Sequence, residues 1–192
     1  MDAFTHAIEA FVSKNKSEDT DGYALAAVKL LAQNLEEAVS DGKDVDVRFN
    51  TVFASYLAGL AFTKAGVGYV HAIAHNLGAK YGTPHGIANA IVLPHVLSEF
   101  RFEMKTNLAL LADAAKVSSE EQSEEQKAQA FIDYILGLQK KFDIPNTLDA
   151  LKKEDIPDLA KAALKEAHWT YPVPVYMENE QCERLISQLL SK

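Results

Sequence analysis

Apolar side chains recur along this chain at three- and four-residue intervals, in long segments punctuated by glycine and proline. Nowhere do β-branched residues alternate at the two-residue period of a half-buried strand. This periodicity predicts an all-α fold. A first helix is expected from about Asp2 to Ser13. A second should run from about Asp21 to Ser40, with Leu25, Val28, Leu31, Leu35 and Val39 as its apolar stripe, ended by Asp41 and Gly42. A third is expected from Val45 to Thr63, where Ala54, Ser55, Ala58 and Gly59 would let a neighbour approach closely. Gly66 and Gly68 break the chain before a fourth helix through His71 and His75. Thr83 reads as the N-cap of a fifth, with Pro84 at its first helical position and His85 one residue further in. Amphipathic segments follow near 105–115, 123–142, 157–167 and 180–190, with the acidic stretch Ser118 to Glu125 as an exposed connection and helix start.

With 192 residues, 48% of them hydrophobic, the chain can bury a core, and one compact domain over 1–192 is the default. No apolar run reaches the roughly 18 residues of a membrane span, and no basic-then-apolar leader opens the chain, so a cytoplasmic protein is expected. A net charge of −8 argues against nucleic-acid partners. The single cysteine, Cys182, forms no internal disulfide framework, and Glu180 and Glu183 beside it disfavour a reactive thiolate. Small-molecule chemistry is the better expectation.

The histidines carry the functional signal. His71, His75, His85 and His95 fall in one short stretch, and His6 lies four residues after Asp2. Residues four apart share a helix face, so Asp2 and His6 can aim a carboxylate and an imidazole at one point, and His71 and His75 have the same geometry. Either pair alone is a common accident of helix surfaces. Together with His85 they offer a mixed imidazole and carboxylate set suited to Fe(II), Zn(II) or a similar divalent ion, and the lack of clustered cysteines excludes a thiolate site.

Two motifs carry a family resemblance. GYVHAIAHNLGAKYGTPHGIANA (residues 68–90) closely resembles one signature of the iron-containing (group III) alcohol dehydrogenases, and MDAFTHAIEA (residues 1–10) resembles their other signature. ASYLAGLAF (54–62) and IVLPHV (91–96) also look like that family, whereas beyond about Arg101 the likeness rests on helical character. The resemblance implies a metal held by Asp2, His6, His71 and His85, and so chooses His71 over His75 as ligand. It places His75 near the substrate and nicotinamide, as a candidate for proton transfer. It also implies oxidation of a small alcohol, or reduction of an aldehyde, with Fe(II) or alternatively Zn(II) as Lewis acid and NAD(P) as hydride carrier.

Whole members of that family carry an amino-terminal nucleotide-binding half. None of the nine glycines here makes a G-x-G-x-x-G between strand and helix. The expectation is that this chain lacks most of an NAD(P) site, is incomplete for catalysis alone, and binds metal less tightly because Asp2 lies at a fraying terminus. A homodimer is compatible with the resemblance. Three alternatives stay open: a zinc-dependent glycerol dehydrogenase-like domain, against which His6 argues; a helical metal hydrolase; and a non-catalytic helical module. His95 is read as a hydrogen-bonded structural histidine. His168, Trp169 and the Tyr171 to Pro174 turn are read as packing, Phe4, Phe53 and Phe62 as core, and Asn89 as a substrate contact or a loop cap.

Overall fold

The computed structural model describes residues 1–191. Among them are nine α-helices, one 3-10 turn and no strand. The helices are α1 (Asp2–Val12), α2 (Glu18–Ser40), α3 (Val45–Ala65), α4 (Tyr69–Tyr81), α5 (His85–Glu99), α6 (Lys105–Ala115), α7 (Glu124–Lys141), α8 (Ile156–Thr170) and α9 (Asn179–Ser187). The 3-10 turn, Lys153–Asp155, leads into α8. No single helix among the described residues is long and apolar enough to cross a membrane.

Local chemistry sets the helix starts. Ser17 and Thr20 form a reciprocal capping box on α2: the Thr20 amide donates to Ser17 Oγ at 3.3 Å and the Ser17 amide to Thr20 Oγ1 at 2.7 Å. Asp44 accepts from the Asp46 and Val47 amides at the head of α3, and Ser123 with Gln126 repeats the box on α7. Inside α5, Pro94 has no N–H to give the carbonyl of Ala90. The buried Gln139 of α7 donates to that carbonyl instead, which satisfies an acceptor the sequence alone leaves open.

The core centres on α1, whose Phe4, Ala7, Ile8, Ala10 and Phe11 are buried against α2, α3 and α5. Burying a side chain the size of Phe4 contributes roughly 1.5–3 kcal/mol. The α3 face turned inward is Ala54, Leu57, Ala58, Ala61 and Ala65, small enough for α1 and α2 to lie close. α4 packs on α5 and α8, and α6 pairs with α7. The outcome is a bundle in which the first turns of α1, the start of α4 and the head of α5 meet.

Several local expectations shift. α2 starts at Glu18, a turn's length before Asp21, because Ser17 supplies the cap, and its buried stripe is Ala24, Ala27, Val28 and Leu31, with Val39 left exposed. Ser55 is exposed, and a Cβ on Gly59 would meet nothing within 4 Å, so the close approach uses the alanines of α3 rather than these two. Pro84, with ψ 134°, is itself the residue before the helix, and its carbonyl accepts the first helical bond from Ala88 at 2.9 Å. His85 therefore opens α5, and Thr83 lies outside it. Phe53 is exposed rather than core, in a row with Phe49 and Tyr56, while Phe4 is core as expected. Trp169 is exposed and does not pack on the helices, whereas Val173 is buried and Pro172 lies against Gly66.

Candidate metal centre

Asp2 occupies the first turn of α1 and His6 the next turn on the same face. His71 stands in the first turn of α4 and His85 at the head of α5. One ligand atom from each of the four lies within 4.8 Å of every other. Asp2 Oδ1 is 3.4 Å from His85 Nε2 and 4.0 Å from His71 Nε2, and Asp2 Oδ2 is 3.8 Å from His6 Nδ1. The His6 ring stacks between Phe62, at 4.2 Å between ring centres, and His71, at 4.5 Å. Phe62 thus orients a candidate ligand and lines the cleft beside it, a role its reading as core residue misses.

The imidazole protonation follows from the partners. His71 Nδ1 lies 2.6 Å from Glu9 Oε2, and a carboxylate oxygen accepts, so Nδ1 carries the hydrogen and Nε2 presents its lone pair to the cluster. Burial first, then the neighbouring His71, lowers the His6 pKa to about 4, so that ring is neutral at pH 7 with a lone pair to give.

Asn89, from the second turn of α5, is fully buried at the centre of the group. Its Nδ2 lies 2.7 Å from Asp2 Oδ1, 3.1 Å from His85 Nε2 and 3.2 Å from His71 Nε2. An amide has two hydrogens for these three acceptors, and the Asn89 Oδ1 behind it is buried with no partner. Lone pairs that converge in excess of the available donors fit a cation. Asn89 also tethers the Asp2 carboxylate, the group expected to be loose at the terminus.

His75 is brought to the same cleft but not into the ligand group. Its ring centre is 5.3 Å from that of His85 and 5.7 Å from that of His71. Its Nδ1 donates to Glu166 Oε1 at 2.7 Å, and the same oxygen accepts from the Tyr171 hydroxyl at 2.6 Å. Burial, then the bond to Glu166, pushes the Tyr171 phenol well above its ordinary value, so it remains a donor. The cleft is lined by His6, Phe62, Val67, His71, His75, His85 and Tyr171. His95 bonds Gln188 through Nδ1 at 3.0 Å, away from this group, as a structural histidine would.

Glu9, Glu166 and Tyr171 were missed in the sequence. Glu9 carried a usable signal, since it follows Asp2 and His6 at helical spacing. Glu166 carried none, lying 91 residues from His75, and Tyr171, read as part of a packing turn, reaches the site only through Glu166.

This geometry defines a class: a helical domain with three imidazoles and one carboxylate assembled as a candidate divalent-metal site. The family model described as "Fe-containing alcohol dehydrogenase family, C-terminal" matches residues 1–190. A 1,3-propanediol dehydrogenase of Citrobacter freundii is 42% identical over 173 residues, covering 88% of this chain and 44% of the relative. Alcohol dehydrogenase 4 of Saccharomyces cerevisiae is 39% identical over 176 residues, covering 90% of this chain and 45% of the relative. A crystal structure of 1,3-propanediol oxidoreductase superposes with a TM-score of 0.94 at 37% identity, over 98% of this chain and 50% of that one. The chain belongs to the iron-containing alcohol dehydrogenase family and corresponds to its C-terminal, all-helical domain. It spans about half the length of the curated relatives it matches.

Proposed function

We propose that this chain is the metal-binding part of an NAD(P)-dependent alcohol dehydrogenase or aldehyde reductase acting on small alcohols or aldehydes, with the nucleotide held by an amino-terminal half outside this chain. The observation that carries the reading is the meeting of Asp2, His6, His71 and His85, from three helices, within 4.8 Å. These four would hold Fe(II), or alternatively Zn(II). When bound there, such an ion would supply Lewis-acid polarisation of the substrate oxygen, easing loss of the hydroxyl proton and of hydride to a nicotinamide.

The residues around it serve that chemistry. Phe62 and Val67 give the cleft an apolar wall that limits water beside the reacting carbon. His75, with Nδ1 committed to Glu166, has Nε2 left to accept the hydroxyl proton of an alcohol or, in the reverse direction, to give a proton to the oxygen of an aldehyde substrate as hydride reaches its carbon. Glu166 and Tyr171 hold that ring in place from α8 and the turn after it. The inclusion of His6 in the cluster favours this four-ligand arrangement over a glycerol dehydrogenase-like site with fewer protein ligands.

Anaerobic titration of the chain with Fe(II) and Zn(II), followed by NAD(H), tests the reading. Wild type should take up one equivalent of metal, His71→Ala should lose it, and neither should bind NAD(H) appreciably. Metal uptake unchanged in His71→Ala would overturn the site, and tight NAD(H) binding by this chain alone would overturn the need for a second half.

A further inference from the structure

Glu9 is an acid in the core, 5% exposed, with no lysine or arginine bridged to it among the described residues. A carboxylate there is costly unless its oxygens are occupied. Both are. Oε1 accepts from the Val70 amide at 2.7 Å, and Oε2 accepts from His71 Nδ1 at 2.6 Å. Val70 is the second residue of α4, so its amide is one of the donors a helix start leaves without an internal partner, and Gly68 at the cap has no side chain to serve it. A Cβ on Gly68 would stand 3.0 Å from Glu9 Oε1, so the glycine leaves the room that the carboxylate occupies. On α1, Asp2, His6 and Glu9 follow at intervals of four and three, which places them along one face.

We infer that Glu9 is a positioning residue of the metal centre. This rests on the metal-centre reading above and deepens it. One carboxylate caps the helix that carries His71, holds the His71 ring in its Nδ1–H form, and thereby turns the Nε2 lone pair toward Asp2, His6 and His85. It would touch neither the ion nor the substrate, since the His71 ring stands between it and the group of Asp2, His6 and His85. A glutamine at position 9 cannot replace it, because its amide offers one acceptor and one donor group: with the oxygen on the Val70 amide, its N–H faces His71 Nδ1, so either that contact is given up or the ring switches to its Nε2–H form.

The test pairs zinc affinity, measured by chelator competition, with the His71 tautomer, read from long-range ¹H–¹⁵N NMR correlations of the chain with and without zinc. Wild type should show His71 protonated at Nδ1 in both states. Glu9→Gln should bind zinc about 10- to 100-fold more weakly and show loss of the pure Nδ1–H form in the metal-free chain. Gly68→Ala, which keeps the carboxylate but crowds it, should weaken zinc binding by a smaller factor. Zinc affinity within twofold of wild type together with an unchanged tautomer in Glu9→Gln would overturn the proposal. If Glu9→Gln fails to fold, the same absence of effect in Gly68→Ala overturns it. If wild type binds no zinc, the metal reading fails by itself, and the tautomer of the metal-free chain still decides whether Glu9 sets the ring.

Discussion

His6 sits where a charged imidazole is least tolerated: packed between Phe62 and the His71 ring, with a pKa lowered to about 4 mainly by burial and then by His71. The unfolded chain holds this side chain near its ordinary value of 6.5, so between about 4 and 6.5 the unfolded state binds more protons than the folded one. Stability from this residue is therefore complete above the unfolded value and is lost as pH falls toward 4. The metal-free chain should melt at progressively lower temperature as pH is lowered across that window, and His6→Gln should flatten the dependence; an equally steep dependence in the variant would contradict the assignment. The four-residue interval made Asp2 and His6 a candidate pair, as it did His71 and His75, and the resemblance to the family's two signatures singled out Asp2, His6, His71 and His85. Asn89 was not legible, because an amide reads the same whether it caps a loop or sits among three lone pairs. Cys182 is buried, which together with nearby Glu183 raises its thiol to about 12, in line with the unreactive thiol its acidic surroundings imply.

At the scale of elements, the link between α3 and α4 determines where the cleft wall stands. Gly66 has φ +82°, and a Cβ there would lie 2.8 Å from Pro172 Cδ. The Ser13 hydroxyl donates to the carbonyl of Ala65, and the Lys14 amide donates to the Pro172 carbonyl at 2.9 Å, so the end of α1, the end of α3 and the turn bearing Tyr171 are fastened together. Gly66→Ala combines left-handed strain with a clash and should cost roughly 1–3 kcal/mol. Urea denaturation measures it, and a change below about 0.5 kcal/mol would show that the link relaxes freely. Helix existence was readable here, since amphipathic spacing over three or more turns leaves little alternative. Helix boundaries were less so. The Thr83–Pro84 pair is compatible with a cap at either residue, and only the extended ψ of Pro84 settles that His85 comes first. The α2 stripe could not exclude Val39, because spacing predicts a face but not how far along it a neighbouring helix reaches.

Across the whole molecule, the all-α class and the four converging residues followed from short-range pattern and motif, whereas the supports of the site come from contacts that no local pattern encodes. Glu166 reaches His75 from α8, Gln139 reaches Ala90 from α7, and Phe53 joins an exposed aromatic row instead of the interior because α1 and α2 pack on the alanine face of the same helix. The proposed metal centre would require α1, α4 and α5 to supply one coordination sphere jointly. X-ray absorption at the zinc edge of the zinc-loaded chain measures that sphere directly. It should show only nitrogen and oxygen neighbours at about 2.0–2.2 Å, with scattering from three imidazoles in wild type and from two in His85→Ala. A zinc sphere with fewer than three imidazoles in wild type, or one left unchanged by the His85 substitution, would contradict it.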